Sequence, residues 1–181
     1  VTLPTNSLTV TGSGTDPDGN IAAYQWTKIT GPASYTIATP AQSQTLISGL
    51  TEGSYQFELR VTDNLGATGR DTMTITVNAA ANQLPVADAG ANQAITLPAS
   101  TVTLTGSGTD PDGTITGYQW SKISGPASFN IVSSAQAQTV VNTLVQGTYV
   151  FRLRVTDNSN ATGDAFVTVS VNSVSNQAPA A

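Results

Sequence analysis

The sequence predicts an all-β protein made of two tandem immunoglobulin-like antiparallel β-sandwiches, and three observations lead to this prediction. The chain repeats itself, its apolar residues alternate with polar ones at period two, and no segment has a helical period. Each copy also holds about seven short strands in roughly 100 residues, with a Trp on the third strand and a Tyr at the start of the sixth, which is typical of this class of sandwich.

An internal repeat fixes the organisation of the chain. Its two copies align without a gap, and more than half of the aligned positions are identical. The clearest pairs share one offset, 94 residues, and they are Trp26 with Trp120, GPAS at 31–34 with GPAS at 125–128, and VTDN at 61–64 with VTDN at 155–158. The chain therefore consists of two copies of one unit.

The phase of the repeat predicts the domain boundaries. The first copy opens at the counterpart of Ile95, so it lacks the stretch that corresponds to 82–94. NQAP at 176–179 restarts the pattern of NQLP at 82–85, which is expected of a longer tandem array. We therefore expect one unit at 1–79 without its first strand segment, a complete unit at 80–173, and the start of a linker to a next repeat at 174–181.

Alternation along the strands predicts which side chains form the two cores. Trp and Tyr are the expected anchors, because burying one aromatic side chain removes about 150–250 Å² from water. Inward positions in the two longest strands and in the last strands are Tyr55, Phe57, Leu59, Val61, Met73, Ile75 and Val77, and their counterparts Tyr149, Phe151, Leu153, Val155, Val167, Val169 and Val171.

Composition excludes several classes of function. With zero Cys and zero His, the chain has no disulfide, no thiol nucleophile and no Ser-His-Asp or Cys-His arrangement. Six Lys and Arg against a net charge of −5 argue against nucleic acid as a partner. No apolar run is long enough to enter a membrane. The weakly charged, Thr-rich composition is more typical of extracellular proteins, either secreted or on a cell surface, than of cytosolic enzymes.

Three motifs resemble the polycystic-kidney-disease-type (PKD) domain. They are PVADAG at 85–90, GTDPDGTITGYQWSKISGP at 108–126 and GTYVFRLRVTDN at 147–158, with close equivalents in the first copy. In place of the WDFGDG of many members, the chain has WTKITGP and WSKISGP, a variant similar to those of long surface-protein arrays and secreted bacterial enzymes. The resemblance implies an extracellular, non-catalytic module of a bacterial secreted or surface protein, which spaces, rigidifies or binds.

The fold also predicts a cluster of carboxylates at one pole of the second sandwich. DPDG occupies the loop between the second and third strands, and the Asp of VTDN ends the sixth strand at the same pole. Asp110, Asp112 and Asp157 should therefore converge there, beside Asn82 and Gln83 of the entering linker. Three carboxylates without a counter-ion would repel one another.

Calcium is the cofactor that the resemblance implies at this pole. PKD domains of bacterial collagenases hold calcium with a linker Asn, the carbonyl of the next residue, a D-x-D pair and a later Asp. In this chain these would be Asn82, Gln83, Asp110, Asp112 and Asp157, which with water would satisfy a cation that takes six to eight oxygens. The first copy keeps Asp16, Asp18 and Asp63 without the linker Asn, so its site is expected to be weaker or empty.

Two other interpretations of the DPDG pair stay open. The motif is also a good turn, because Pro presets φ, Asp accepts backbone hydrogen bonds and Gly tolerates a positive φ. A glycosidase-like acid and base pair would need two carboxyls that flank a cleft in different environments, which an exposed turn repeated in both copies does not offer. We therefore expect no enzyme.

A binding surface is the alternative to a purely structural role. Phe166 is predicted to point outward from the last strand, near Arg154, where a cation–π contact would be possible. The sequence thus leaves two function classes: a rigid spacer or adhesion module, or an accessory module that binds polysaccharide or protein for a secreted hydrolase. The partners expected are neighbouring repeats in the same chain and, for the second class, such a ligand. As a fragment, the chain is expected to be monomeric.

Overall fold

The computed structural model describes residues 1–174, which form strands and loops without a helix. The chain divides into two compact units, Val1–Ala81 and Asn82–Ala181. Apart from Val174, the expected linker at 174–181 lies outside the described residues. In the part of the chain that is described, no helix could cross a membrane.

The first unit contains six strands in two three-stranded sheets. One sheet has the order β1-β4-β3 and the other has the order β2-β5-β6, with antiparallel neighbours throughout. The strands are β1 (Leu8–Thr11), β2 (Ile21–Thr30), β3 (Thr36–Ile37), β4 (Gln44–Ser48), β5 (Gly53–Asp63) and β6 (Thr68–Val77).

The second unit repeats these strands and adds three more. Its additional strands are β7 (Val86–Asp88), β8 (Gln93–Thr96) and β10 (Ser107–Thr109). The strands equivalent to those of the first unit are β9 (Val102–Thr105), β11 (Ile115–Ser124), β12 (Asn130–Ile131), β13 (Gln138–Asn142), β14 (Gly147–Asp157) and β15 (Thr162–Asn172). One sheet has the order β12-β13-β9, a second has the order β11-β14-β15-β8, and β10 pairs with β7 alone.

Each unit has its own core between its two main sheets, and the predicted all-β sandwich is confirmed. Trp120 is 1% exposed, and its indole nitrogen donates to the carbonyl of Gln136 at 3.1 Å. Trp26 occupies the equivalent place and bonds the Gln42 carbonyl at 3.1 Å. In each unit the indole therefore packs in the core and satisfies its N–H with a carbonyl of the loop before β4 or β13, as a buried Trp requires.

A buried tyrosine closes the other side of each core. The hydroxyl of Tyr149 donates to the Ser128 carbonyl at 2.9 Å and accepts from the Val145 amide at 3.0 Å. Tyr55 makes the same two kinds of contact in the first unit. This is the tyrosine corner of immunoglobulin-like sandwiches. It fixes the loop that precedes β5 in the first unit and β14 in the second.

Strand β7 covers one edge of the second sandwich, where the backbone of the entering segment lies very close to the backbone of β15. It pairs antiparallel with β10, and Ala89, just after it, is 3% exposed. A Cβ at Gly163 would overlap the carbonyl oxygen of Pro85, so this position of β15 must be glycine. The segment before Gly90 is thereby held against the edge of β15.

The first unit has no equivalent of β7 among residues 1–81, and two predicted core residues differ for that reason. Val61 and Met73 are half-buried, whereas their counterparts Val155 and Val167 are 0% and 1% exposed. Their side chains point inward as the alternation predicts. They remain accessible because no strand covers that edge.

The glycine pair yields a direct prediction. Gly163→Ala should destabilise the second unit by about 1–3 kcal/mol, the usual cost of forcing a group into occupied space. Gly69→Ala should change the first unit by less than about 0.5 kcal/mol, because a Cβ there meets only a Val61 methyl carbon, at 3.3 Å.

The two indole N–H signals in NMR-monitored urea denaturation measure this difference, since Trp26 lies in one unit and Trp120 in the other. Gly117→Ala is the control, because a Cβ at Gly117 meets nothing nearer than 3.8 Å. If Gly69→Ala destabilised the first unit as much as Gly163→Ala destabilises the second, the close approach of the entering segment to β15 would be contradicted.

Candidate functional site

The predicted pole forms in the second unit from three separate stretches of chain. Asp110 and Asp112 lie in the loop between β10 and β11, and Asp157 is the last residue of β14. Asn82 and Gln83 precede β7 on the entering segment. Antiparallel pairing of β7 with β10 and of β11 with β14 brings these three stretches together.

Asp157 is the centre of the pole and is fully buried. Its Oδ1 accepts hydrogen bonds from the amides of Ser159 and Ala161, both at 2.8 Å, and so holds the turn between β14 and β15. Its Oδ2 accepts from Nδ2 of Asn82 at 2.8 Å. The Asn82 hydrogen bond, followed by those from the two amides, lowers the pKa of Asp157, although burial opposes this.

Asp112 holds the next residue of the entering segment. The amide of Gln83 donates to both carboxylate oxygens of Asp112, at 3.2 and 3.1 Å. The Asn82 side chain also donates to the Gln83 carbonyl at 2.9 Å. Residues 82 and 83 are therefore tied to the sandwich by two carboxylates that lie far from them in sequence.

Asp110 is the least satisfied member of the cluster. Its Oδ2 is buried without a hydrogen-bond partner, and its Oδ1 receives only a long contact of 3.5 Å from the Asp112 amide. Burial raises the pKa of Asp110, and the charges of Asp112 and Asp157 raise it further. An orphaned carboxylate oxygen beside two other carboxylates is an arrangement that a cation or a proton would relieve.

Asn158 is a member of the pole that sequence reasoning did not single out. Its side-chain oxygen accepts from the Thr114 amide at 2.8 Å and so holds the end of the DPDG loop. A Cβ at Gly113 would overlap this oxygen and would lie 2.5 Å from Oδ2 of Asp110. Gly113 does not take a positive φ, so its role in the turn was predicted wrongly: glycine is needed there for space. The repetition of VTDN in both copies was the available signal for Asn158.

The donor set fits calcium in part. The oxygens of Asp157, of the Gln83 carbonyl and of Asp110 belong to the cluster, and oxygen ligands are those that calcium prefers. Nδ2 of Asn82, a neutral hydrogen-bond donor, contacts the first two of these oxygens. Within residues 1–174, no three acidic, His or Cys side chains are arranged to hold a metal ion.

The first unit keeps the loop contacts of this pole without the entering segment. Oδ1 of Asp63 accepts from the amides of Leu65 and Ala67, at 2.8 and 2.9 Å, and Asn64 accepts from the Asn20 amide at 3.0 Å. Asp16 and Asp18 occupy the places of Asp110 and Asp112. The described contacts of this pole contain no counterpart of Asn82 or Gln83.

Comparison with known proteins now identifies the family. The model of the K319L-like PKD domain matches residues 1–77 and 89–171, which is most of both units. The chain belongs to this PKD domain family. The match in the second PKD unit begins after β7, so Asn82 and Gln83 lie outside it.

The relatives are much longer proteins. Dyslexia-associated protein KIAA0319 of Homo sapiens is 36% identical over 184 residues, which span 100% of this chain and 17% of that protein. Dyslexia-associated protein KIAA0319-like protein of Mus musculus is 35% identical over 184 residues, which span 100% of this chain and 18% of its own length. The solution structure of the PKD domain from KIAA 1837 protein has 33% identity and a TM-score of 0.48, and it covers 56% of this chain and 99% of that one.

These relatives refine the expected origin of the PKD units. Both curated proteins are mammalian, so they give no support to the bacterial origin that the WTKITGP variant suggested. The PKD resemblance itself is confirmed, and so is the tandem arrangement.

Phe166 is exposed as predicted, but its neighbour on the adjacent strand is not the predicted one. Phe166 is 58% exposed on β15 of the second PKD unit, as the alternation predicts. The register of β14 with β15 places it opposite Arg152, whereas Arg154 lies opposite Asp164. Arg154 donates to both oxygens of Asp164 at 2.8 Å, so the contact expected between Arg154 and Phe166 was wrong. The observed register of the hairpin, with Thr156 opposite Thr162, differs by two residues from the register we expected.

The contacts of the pole lead us to expect that losing the carboxylate at the end of β5 or β14 changes the stability of the two PKD units by different amounts. Asp157→Ala should lower the urea midpoint of the second unit more than Asp63→Ala lowers that of the first, because only Asp157 also holds Asn82. Denaturation in the presence of chelator, followed by the Trp26 and Trp120 indole signals, measures both midpoints. Equal shifts would show that the contact with Asn82 contributes nothing.

The Arg154–Asp164 pair predicts a pH dependence in the second PKD unit. Its hydrogen bonds from Arg154 lower the pKa of Asp164. The stabilisation should therefore be complete above the unfolded value of about 3.9 and should fade as pH falls through the folded value. Arg154→Gln should move the Asp164 carboxyl titration, followed by NMR, upward toward the ordinary value. An unchanged titration would contradict the pairing.

Proposed function

We propose that this chain is a non-catalytic extracellular module, a pair of rigid β-sandwich repeats that space or connect other parts of a larger surface or secreted protein. One observation carries the proposal: the carboxylates at the pole of the second unit accept hydrogen bonds from other parts of the same chain, and these bonds hold its loops and its entering segment in place. The family match and the tandem repeat support it. Neighbouring repeats are the partners proposed.

Calcium is proposed as a structural ion in the second unit. The residues that would hold it are Asn82, Gln83 through its carbonyl, Asp110, Asp112 and Asp157. To bind the ion, Asn82 would present its side-chain oxygen in place of Nδ2, and the three carboxylates would draw together. The ion would supply positive charge to three neighbouring carboxylates and to the orphaned Oδ2 of Asp110. These residues fasten the entering segment to the sandwich, so occupancy would favour the rigid form of the repeat.

A thermal measurement tests the calcium proposal. Calcium should raise the melting temperature of the second unit relative to chelator, because an ion that binds only the folded state stabilises it by RT ln(1 + [L]/Kd), where [L] is the free ion concentration. Asp112→Ala should remove the increase. Asp18→Ala, the matched change in the first unit, should leave it intact. Identical melting curves in calcium and chelator would reject the ion without touching the spacer role.

Substrate binding is the second proposed function, and exposed Phe166 favours it. This ring, with Arg152 opposite it on β14, presents an aromatic face and a cation on the same sheet surface. Aromatic rings and guanidinium groups are common anchors of binding surfaces. The ligand would be a polysaccharide or an extracellular protein.

Sedimentation with insoluble polysaccharides and collagen tests this second function. If it is correct, the chain pellets with one of these substrates, and Phe166→Ala reduces the bound fraction severalfold. Phe166 is exposed, so its replacement should leave the melting temperature of the second unit unchanged. Absence from every pellet would leave the spacer as the only proposed role.

A further inference from the structure

We propose that one row of side chains on the outer face of the second unit, Ser121–Arg152–Phe166, binds a hexuronate of an acidic polysaccharide. A hexuronate is a pyranose sugar that carries a carboxylate on its ring. Arg152 would bind this carboxylate, and Phe166 would stack on the ring. The inference rests on the proposed substrate-binding function, for which it names the ligand, and it does not depend on calcium.

The three side chains of the row lie side by side on three neighbouring strands. Ser121 of β11 is opposite Arg152 of β14, and Arg152 is opposite Phe166 of β15. Trp120 and Val167, which adjoin the row in sequence, are buried in the core, so the row itself points outward. Because neighbouring strands are about 4.8 Å apart, Arg152 and Phe166 are close enough to contact the same sugar.

Arg152 is a cation whose hydrogen-bonding groups are largely unused. Its ion-pair partner, Asp164, already accepts from Nε and Nη2 of Arg154, both at 2.8 Å. Arg152 reaches Asp164 only with Nη1, at 3.7 Å. In the part of the chain that the structure describes, Nε of Arg152 has no hydrogen-bond partner. A guanidinium beside a carboxylate that is already paired still needs an acceptor, and a second carboxylate matches its planar fork.

The neighbouring ion pair shows how a ligand carboxylate would be held. Arg154 binds Asp164 side-on, through Nε and one terminal nitrogen, and Arg152 has the same edge available. Nε of Arg152 and Oγ of Ser121 are both covered and without partners, so the Arg152 side chain, which is 27% exposed, has to rotate to present them. Orphaned polar atoms cost free energy, and a carboxylate that accepts from them would remove this cost.

Phe166 favours a sugar over an acidic peptide. The residue is 58% exposed, and its flat ring offers an apolar surface to the C–H face of a pyranose. In a hexuronate the carboxylate is bonded directly to the sugar ring, so one rigid unit reaches Phe166 and Arg152 together. An Asp or Glu side chain has no rigid apolar face beside its carboxylate and would leave the aromatic ring in water.

The acidic character of the chain does not prevent an anion from binding at this row. Arg152 and Arg154 against Asp164 leave one positive charge on this face. The carboxylate cluster at Asp157 lies five residues further along β14, which at about 3.4 Å per residue is about 17 Å away. Since this exceeds the Debye length of about 8 Å at physiological ionic strength, the cluster repels a ligand at the row only weakly.

The first unit is an internal negative control. Thr27, Glu58 and Thr72 occupy the places of the row there, in the same register. A carboxylate thus replaces the guanidinium, and the row has no aromatic ring. We therefore expect the chain to bind this ligand at one site, in the second unit.

NMR titration of the whole chain with a galacturonate hexasaccharide tests the inference. Saturable binding should shift the Nε–H signal of Arg152 and the ring signals of Phe166. Arg152→Gln and Phe166→Ala should each weaken binding by about tenfold or more, because each removes one of the two main contacts. Arg60→Gln, on the matching face of the first unit, should leave binding unchanged. Melting curves check that all three variants are folded.

The methyl ester of the same oligosaccharide keeps the ring and loses the charge, so it should not bind. Equal binding of the ester, or binding that survives Arg152→Gln, would overturn the inference. A response of the row to polyglutamate or dextran sulfate, without one to the oligosaccharide, would also overturn it, in favour of an acidic protein or a sulfated polymer.

The same probes separate this inference from the function on which it rests. Sedimentation with a neutral polysaccharide or collagen, without a response to the galacturonate oligosaccharide, would overturn the choice of ligand and leave substrate binding standing. Absence of binding to every probe would remove both.

Discussion

The docking of segment 82–90 onto the second sandwich is the interaction on which the closed edge and the acidic pole of that unit depend. At one end, the carboxylates of Asp157 and Asp112 hold the side chain and the backbone that enter the fold. At the other end, β7 pairs with β10 and buries Ala89. Since hydrogen bonds to the buried Asp157 and the exposed Asp112 act on the same short segment as the apolar packing, losing either should loosen both.

The first unit serves as an internal comparison for this constraint. Its Trp, its Tyr corner and its sheet order repeat those of the second unit, so these features do not require the docked segment. The edge of β6 and the side chain of Val61 do depend on it, because they stay accessible where no strand lies over them. A shared core thus supports one closed edge and one open edge. The proposed calcium site lies where residues 82 and 83 dock onto the second unit.

The fold could be predicted well from the sequence. Alternation of apolar and polar residues reports directly which face of a strand is buried, and the ungapped repeat shows that both units share one fold. It also predicted that Asp110, Asp112 and Asp157 meet, since sandwich topology alone places their loops at one pole. It could not predict that Asn82 would present its nitrogen to Asp157, because an amide offers both a donor and acceptors. The pairing of Arg154 depended on the register of one hairpin, and a difference of two residues in that register placed Phe166 opposite Arg152.

Hydrogen exchange of two equivalent backbone segments tests whether the docked segment 82–90 closes the edge of the second unit. We expect slow exchange at Ser107–Thr109 in the second unit, where β7 covers the edge, with protection close to that of the surrounding strands. At Ser13–Thr15 in the first unit we expect nearly unprotected exchange. Equal protection of the two segments in the isolated monomeric chain would contradict the claim that docking of segment 82–90 distinguishes the two units.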